Sequence, residues 1–504
     1  MALARTYSVA LIGVNGHVVE VESDIASGLP ATVLVGLPDT ALREARDRIR
    51  AAINNTGSIW PSTKITVGLS PASLPKRGSG FDAAIAVALL AADGQLSDKK
   101  SISKLMFYAE LGLDGQLRPV NGVLPAVLAA QSEGLTTVVV AAANVREAAL
   151  VPGVTVVGAN SLIELIIWLK GGPPPVPEMP VIHEDELTTD KDMSDVLGQQ
   201  EARFATEVCA AGGHNLSLLG PPGAGKTMLA ERLPTILPPL DTRAALEVTS
   251  IHSVAGELDQ GGLLTRPPFS APHHTATKAA IVGGGSGLIV PGAVSLAHHG
   301  ILFLDEAPEF DAGVLDALRQ PLESGEVVLA RSGLCTKFPA RFSLVLASNP
   351  CPCAEANGIC ECTPMAQRRY LAKLSGPLRD RVDVKVKLEP VTRVDLLHNR
   401  DGAEPSAAIA ARVRQARDRA ARRYMGTTWR LNARVPGAEL RRNHPVKPGA
   451  LIWLDRAMES GQVSARGADK VMRVAWTLAD LAGKPQPGSD EMTTAIGLWL
   501  GVRK

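Results

Sequence analysis

Apolar runs and helical stretches alternate over the first third of the chain. Short runs of β-branched and apolar residues bounded by glycine, proline or asparagine are typical of buried strands. The predicted strands are Ser8–Gly13, Ala31–Gly36, Thr63–Leu69, Thr137–Val140 and Val154–Val157. Helical periodicity predicts helices at Leu42–Asn54, Phe81–Ala92 and Leu124–Ser132. This alternation predicts an α/β domain over residues 1–170.

The pattern then changes twice along the chain. The proline-rich stretch Gly171–Pro180 cannot form a packed core, and we expect residues 171–189 to be a stiff linker. Strand and helix patterns return over residues 190–390, which predicts a second α/β domain. Residues 391–504 are predicted to be mostly helical, with helices at Ser406–Met425, Pro448–Ser460 and Ala465–Ala482. The predicted fold class is therefore α/β, with three domains.

One loop of the second domain carries the most specific chemical signal. It lies between the apolar run Leu216–Leu219 and the helix-like segment Met228–Leu233. Its residues, which fit the pattern G-x-x-x-x-G-K-[ST], are Gly220, Pro221, Pro222, Gly223, Ala224, Gly225, Lys226 and Thr227. In such loops backbone N–H groups face phosphates, the lysine reaches the outer phosphates, and the hydroxyl ligates Mg²⁺. A turn rich in glycine and proline is the structural alternative, but the flanks favour a nucleoside triphosphate site.

Two later strands end in polar residues that suit the same site. The apolar run before Asp305 and Glu306 predicts a buried parallel strand, and ligands meet such sheets at the carboxyl ends of strands. Asp305 would complete a Mg²⁺ shell and Glu306 would take a proton from the attacking water. The strand Phe342–Ser348 ends at Asn349, whose amide would orient that water or contact the γ-phosphate. A capping role for Asn349 is the alternative.

Arg381 is a candidate for a contact with the phosphates of a neighbouring subunit. It lies in the polar segment Leu374–Asp383, and an arginine that reaches a transferring phosphate stabilises the charge of the transition state. An arginine in a surface salt bridge is the alternative.

Four of the six cysteines lie within twelve residues: Cys351, Cys353, Cys360 and Cys362. Two C-x-C pairs can bring four sulfur atoms around a tetrahedral structural Zn²⁺, with unliganded thiols or a redox pair as alternatives. Four sulfur ligands would leave no open position for metal catalysis. The pairs His273–His274 and His298–His299 are expected to have structural roles in loops, with metal ligation as the alternative.

The charge distribution offers two candidate contacts with nucleic acid. A formal net charge of +1 argues against binding by bulk electrostatics, although residues 391–450 hold thirteen Lys/Arg against five Asp/Glu. The segment Glu326–Phe342 predicts a hairpin that turns at Ser332–Gly333, with Arg331 and Lys337 near its tip as candidates for DNA phosphates. The arginines of the predicted helix Ser406–Met425 are the second candidate, and a solvated helix is the alternative.

Location and membrane class follow from what the sequence lacks. The longest candidate, Leu162–Leu169, is far too short to span a membrane, and the first residues have no signal-peptide pattern. Six clustered or isolated cysteines are unlike a secreted disulfide framework. We therefore expect a cytoplasmic protein with no membrane contact.

The order of these motifs resembles the AAA+ ATPase module. The phosphate loop, the acidic pair, Asn349 and Arg381 follow the order of Walker A, Walker B, sensor 1 and arginine finger. Several intervening segments resemble the magnesium-chelatase-like AAA+ group, and two of them resemble its YifB/ComM family. The segments are Ala271–Ala276, Val282–Ser286, Pro291–Gly300, Phe303–Phe310, Asn349–Cys353 and Lys373–Leu378. The likeness covers nearly the whole chain.

The resemblance implies a function and further residue roles. It implies an ATP- and Mg²⁺-dependent homo-hexameric ring that translocates on branched or single-stranded DNA, a helicase that promotes branch migration. Arg381 would then act on the nucleotide of the neighbouring subunit, although Arg379 stands where a leucine is expected. The sensor 2 arginine maps to Arg466, with Arg473 as the other candidate, in a C-terminal helical lid. Two alternatives remain open: a magnesium-chelatase motor subunit and a protein-remodelling chaperone.

The N-terminal domain resembles the Lon protease domain through Pro75–Asp82 and Glu110–Pro119. The positions of the serine nucleophile and its lysine partner fall on Gly80 and Leu124, so the catalytic dyad is absent. The resemblance therefore implies a non-proteolytic relative of that domain.

Overall fold

The fold is that of a computed structural model, which describes residues 2–36, 39–176, 191–258, 262–285, 289–331, 334–353, 360, 362–390 and 403–501. Most of the predicted linker 171–189 and the predicted turn Ser332–Gly333 lie outside the described residues. Among the helices that are described, none combines the length and the apolar character needed to cross a bilayer.

A mixed seven-stranded sheet forms the first third of the chain. Its order is β3-β4-β2-β1-β5-β8-β9, with strands β1 Ala2–Ile12, β2 Asn15–Ala26, β3 Ala31–Val35, β4 Lys64–Ser70, β5 Leu105–Tyr108, β8 Thr137–Ala141 and β9 Thr155–Ala159. A two-stranded ribbon is formed by β6 Glu110–Leu111 and β7 Leu117–Arg118. The helices are Asp39–Asn55, Asp82–Ala92, Lys99–Ile102, Val123–Ser132, Val145–Ala148 and Leu162–Leu169, with a 3₁₀ turn at Ala142–Asn144.

The five predicted strands and three predicted helices of this region are present, but the pattern missed β2, β5, the ribbon β6–β7 and three shorter helices: Lys99–Ile102, Val145–Ala148 and Leu162–Leu169. β2 alternates polar and apolar residues and forms an antiparallel hairpin with β1, in register from Ala2 opposite Ile25 to Ile12 opposite Asn15. β1 also begins six residues before its prediction, because two of its polar side chains are buried and bonded. Thr6 and Ser8 donate to the carbonyls of Ala84 and Gly80, across the helix packed on the sheet.

A five-stranded parallel sheet organises the middle of the chain in the order β11-β14-β17-β10-β18. Its strands are β10 Leu216–Leu219, β11 Phe269–Ser270, β14 Ile301–Leu304, β17 Ser343–Ser348 and β18 Val384–Lys387. Two antiparallel hairpins project from it, β12 Gly283–Gly284 with β13 Val290–Pro291 and β15 Glu326–Arg331 with β16 Leu334–Pro339. The parallel arrangement brings the carboxyl ends of β10, β14 and β17 to one edge.

Helices surround this sheet and form the C-terminal part. Those of the middle are Gln200–Gly212, Lys226–Arg232, Thr242–Ala255, Lys278–Val282, Ala293–Leu296, Ala312–Ala317, Arg319–Ser324, Pro364–Ala372 and Gly376–Arg379. Those of the C-terminal part are Ser406–Arg423, Gly437–Asn443, Pro448–Glu459, Ala465–Leu481 and Ser489–Leu500. Short 3₁₀ turns occur at Met193–Asp195, Leu233–Ile236, Ala307–Glu309 and Asn432–Arg434. One apolar core joins the C-terminal helices to the sheet strands β10 and β18.

The arginines of the helix Ser406–Arg423 serve mainly to pack it, which corrects the prediction of a nucleic-acid face or a solvated helix. Four of the six bond to groups on other helices: Arg412 to Glu207, Arg417 to the Ala210 carbonyl, and Arg419 and Arg423 to Asp480. Because these guanidinium groups are already held by protein partners, they are not available as a row of phosphate contacts.

The first turn of the chain packs against the hairpin β15–β16. Between β1 and β2, Gly13 adopts a positive φ of 64°, and a Cβ there would lie 2.6 Å from the Lys337 carbonyl oxygen. A small apolar cluster joins this turn to both hairpins through Leu11, Val14, Val254, Ile289, Leu329 and Phe338. The N-terminal sheet therefore touches the hairpin directly.

Candidate nucleotide site

The phosphate loop follows β10 and leads into the helix Lys226–Arg232. Gly223 and Gly225 have φ values of 76° and 88°, a left-handed conformation that L side chains rarely adopt. A Cβ at either glycine would meet no atom within 4 Å. The loop thus has an open concave face at the start of a helix, which suits the phosphates of a nucleotide.

Lys226 is turned back into this loop. Its ammonium Nζ donates to the carbonyl oxygens of Gly220 and Pro221 at 2.7 and 2.9 Å, and to Asn349 Oδ1 at 2.9 Å. Burial lowers the pKa of Lys226, an effect opposed by the charges of Asp305 and Glu306. The structure therefore places Asn349, at the end of β17, beside the lysine of the phosphate loop.

The acidic pair lies next to the loop at the end of β14. Thr227 Oγ1 donates to Asp305 Oδ2 at 2.8 Å, so the two predicted Mg²⁺ ligands are adjacent. A hydroxyl and a carboxylate are oxygen donors of the kind Mg²⁺ takes in such sites. Glu306 is exposed, with an unusual φ of +50°, and its Oε2 lies 3.5 Å from Nδ1 of His274. Such backbone strain in a non-glycine residue is typical of functional sites.

Arg381 lies at the opposite edge of the sheet. Its carbonyl accepts a hydrogen bond of 2.8 Å from Nδ2 of Asn215, the residue before β10, whereas the phosphate loop begins just after β10. A strand of four residues separates these two points by about 13 Å. Within one chain, the backbone of Arg381 therefore lies about the length of β10 away from the phosphates that Lys226 would bind.

Arg466 and Arg473 also lie away from the phosphate loop. Both line a cavity of about 320 Å³ that they share with Arg381, Arg434 and Lys470. Arg466 is exposed at the start of the helix Ala465–Leu481, and Arg473 donates to the Val435 carbonyl at 2.7 Å. The predicted sensor 2 residue thus sits with Arg381 and not with Lys226.

The four clustered cysteines converge two residues after Asn349. Their sulfur atoms all lie within 4.8 Å of one another. In a tetrahedral site with Zn–S bonds of about 2.3 Å, the sulfur atoms are roughly 3.8 Å apart, so only a small contraction is needed. Gln367 donates to Cys360 Sγ at 3.3 Å, and hydrogen bonding, foremost with Cys351, lowers the pKa of Cys360 to about 7. Four sulfur atoms so arranged fit a structural Zn²⁺ site. Of the other cysteines, Cys209 is buried and Cys335 is exposed.

A second cluster of ligand-type groups is held as a structural network. Glu247 Oε2 lies 3.0 Å from His299 Nε2 and 3.4 Å from His298 Nε2. Nδ1 of His298 accepts the backbone N–H of Arg341 at 2.9 Å, so the neutral ring carries its proton on Nε2, the atom that faces Glu247. That nitrogen is then a donor to the carboxylate and not a metal ligand. Burial lowers the pKa of His298 to about 4, which keeps the ring neutral.

The hairpin β15–β16 differs from its prediction at Lys337. The register places Lys337 opposite Val328 and well below the turn, and its Nζ lies 3.2 Å from Glu326 Oε1 at the base of the hairpin. Arg331 pairs with Leu334 beside the turn, but its side chain lies outside the described atoms. Lys337 is therefore not a tip residue.

The positions of the Lon catalytic dyad hold packing groups. A Cβ at Gly80 would lie 2.6 Å from the Tyr108 ring, and Leu124 is fully buried. Ser79, one position away, donates to Glu110. At these three positions, no serine hydroxyl lies beside a lysine amine, as the Lon dyad would require.

These features define a class of protein. In the parallel sheet, the phosphate loop follows β10 and the acidic pair follows β14. The amide of Asn349 follows β17, which lies between those two strands. This is the architecture of a phosphate-loop ATPase of the AAA+ type.

Comparison with known proteins narrows the class to a family. The chain matches the families described as magnesium chelatase subunit ChlI over residues 192–396, subunit ChlI of Mg-chelatase over 21–144, and magnesium chelatase subunit ChlI C-terminal over 403–498. It is 50% identical over 98% of both chains to an uncharacterised protein of Mycobacterium tuberculosis. It is 40% identical to competence protein ComM of Haemophilus influenzae over 100% and 98% of the two chains, and 39% identical to YifB of Escherichia coli over 95% and 94%. The chain belongs to the magnesium-chelatase-like YifB/ComM family. Membership implies ATP and Mg²⁺ as ligands.

Proposed function

We propose that this protein is an ATP-hydrolysing ring motor that acts on DNA, most specifically a helicase that promotes branch migration during recombination of incoming DNA. The observation that carries the ring is the separation of Arg381 from the phosphate loop by the length of β10. A site divided in this way is complete only when a second copy supplies the arginine, and repeated head-to-tail contacts close into a ring. Similarity to a competence protein supports DNA as the substrate.

Each residue of the site has a role in this proposal. The loop N–H groups and Lys226 bind the phosphates, and Thr227 and Asp305 would hold Mg²⁺, which neutralises phosphate charge when bound. Glu306 takes the proton of the attacking water and Asn349 orients that water. Arg381 of the next subunit stabilises the charge that develops on the transferred phosphate, and Arg466 enters the same intersubunit site from its cavity beside Arg381.

The remaining parts have proposed roles as well. We assign residues 1–170 to a Lon-like domain without protease activity, 190–390 to the ATPase core and 391–504 to a helical lid. The four cysteines would hold one structural Zn²⁺. DNA passes the hairpin β15–β16, where Arg331 lies beside the turn; Lys337 contributes only when its pair with Glu326 opens.

Mixed rings test the shared site. Glu306→Gln and Arg381→Ala should each abolish turnover, whereas a mixture of the two variants should regain up to about one quarter of wild-type activity. At one interface in four, an intact Glu306 then faces an intact Arg381. No recovery on mixing, in rings shown to exchange subunits, would refute a site shared between copies.

Substrate class is tested by ATP turnover with branched, single-stranded and duplex DNA. Stimulation by DNA, strongest with branched forms and weakened by salt, is expected. Stimulation by unfolded polypeptide instead would support a chaperone, and stimulation only by a porphyrin with Mg²⁺ would support a chelatase motor.

A further inference from the structure

Arg381 is held by a carboxylate of its own subunit. Its guanidinium pairs with Glu323 Oε1, and Nη1 donates to the Pro377 carbonyl at 2.7 Å. The Arg381 side chain is 17% exposed, whereas that of Glu323 is 68% exposed. The arginine is thus largely covered, by a partner that stays in contact with water.

The geometry makes this ion pair exchangeable. A pair with a well-hydrated carboxylate contributes little net stability, because hydration offsets most of the attraction. Nε of Arg381 is buried and has no hydrogen-bond partner within the described part of the chain. A phosphate group can accept from two guanidinium nitrogens at once and would use such an unpaired donor. Phosphate is therefore a stronger partner for Arg381 than Glu323 is.

Glu323 is linked to the hairpin β15–β16 by two residues. It lies in the last turn of the helix Arg319–Ser324, which ends at Gly325 with a φ of +72°. The Gly325 carbonyl accepts from the N–H of Ala340, just after β16, and Ser324 Oγ donates to the carbonyl of Glu326, the first residue of β15. Both strands are anchored at the segment that follows Glu323, so movement of Glu323 displaces the root of the hairpin.

We propose that Glu323 is a positioning residue for Arg381, and that exchange of Glu323 for the phosphate of the neighbouring subunit transmits the nucleotide state of that subunit to the hairpin. The proposal rests on the proposed function in one respect, because it takes Arg381 to contact the neighbour's nucleotide. DNA on the hairpin acts on the same link in reverse, since a displaced hairpin root withdraws Glu323 and frees Arg381.

Glu323→Gln in the full-length protein tests the link, because it removes the charge and keeps the shape. ATP turnover without DNA should rise threefold or more, and the ratio of turnover with DNA to turnover without DNA should fall towards one. Glu323→Asp, which retains the carboxylate, should lie between Glu323→Gln and wild type. Asp316→Asn is the matched control: this exposed acid pairs with Arg319 and not with Arg381, so its turnover should stay within twofold of wild type.

The outcomes separate this proposal from the function on which it rests. The link would be overturned if Glu323→Gln showed wild-type ATP turnover and wild-type stimulation by DNA while Arg381→Ala was inactive. That result would leave the role of Arg381 as an arginine finger in place. A Glu323→Gln/Arg381→Ala protein faster than Arg381→Ala would also overturn the link, because the gain would not pass through Arg381. Wild-type turnover in Arg381→Ala would instead remove the finger and the link together. If DNA does not stimulate the wild type, the rise in Glu323→Gln still tests the link, and the DNA assignment alone fails.

Discussion

Replacing Asn349 should tighten the binding of ADP while slowing the hydrolysis of ATP. Lys226 Nζ has three acceptors in the structure, one of which is Asn349 Oδ1 at 2.9 Å. Lys226 must leave these acceptors to reach the phosphates. A hydrogen bond to a charged group contributes about 1.5–3 kcal/mol, and the lower figure applies because two carbonyls remain. Asn349→Ala should therefore lower the Kd for ADP about tenfold.

ADP is the informative ligand because it has no γ-phosphate for Asn349 to contact. Asn349→Asp is the matched variant and should change the Kd for ADP in the opposite direction. Its carboxylate holds Lys226 more tightly, so the Kd for ADP should rise. If Asn349 orients the water, kcat for ATP falls tenfold or more in both variants. The assay is equilibrium titration with fluorescent ADP and Mg²⁺, with melting temperature as the control for folding. Equal or weaker ADP binding by a folded Asn349→Ala protein would refute the reasoning.

Three further predictions follow from the site and its surroundings. Glu306→Gln should bind ATP with nearly wild-type Kd and retain less than about 1% of its turnover, as measured by phosphate release; normal turnover would remove Glu306 from its role. Metal analysis should find about one Zn²⁺ per chain, and Cys353→Ser should lose most of it; a wild-type content far below one would count against the site. Burial lowers the pKa of His298 to about 4, below its ordinary value near 6.5, so its contribution to stability is present above pH 6.5 and is lost as the pH falls towards 4. Urea unfolding should show that His298 accounts for about 1 kcal/mol of the free energy of unfolding lost between pH 7 and 5.5. A folded His298→Gln protein whose free energy of unfolding falls with pH as steeply as that of the wild type would contradict this prediction.

Local patterns were enough to predict about half of the strands and about a third of the helices that the structure describes, together with the phosphate loop. The loop could be found because its glycines, Lys226 and Thr227 act within eight consecutive residues, between a strand and a helix that are themselves short-range patterns. Asp305 and Asn349 could be added because each ends an apolar run, and parallel strands bring such ends to one edge. β2 was missed because its alternation places the acidic residues Glu20, Glu22 and Asp24 at half-buried positions between its buried ones.

Contacts between segments that lie far apart along the chain could not be predicted from the sequence. The arginines of the helix Ser406–Arg423 look solvated in the sequence, but Arg412 finds Glu207 and Arg423 finds Asp480, partners that only the packing of helices brings near. Lys337 was misplaced although the predicted turn at Ser332–Gly333 already implies the register that pairs it with Val328, four residue pairs along the hairpin. Arg466 could be matched to a motif position, but which edge of the sheet it faces depends on how the C-terminal helices dock.

The place of β1 in the sheet has a consequence for biosynthesis. β1 lies in the interior of the sheet, between β2 and a strand that begins at Leu105, so its second partner is synthesised about a hundred residues after it. The β1–β2 hairpin can form as soon as β2 is made, but one side of β1 keeps its unpaired backbone groups until β5 has also been made. Until β5 is made, the nascent chain exposes an unpaired strand edge, which can pair with other chains and aggregate. Between the synthesis of β2 and that of β5, the free edge of β1 is therefore a place where a chaperone would protect the chain from aggregation.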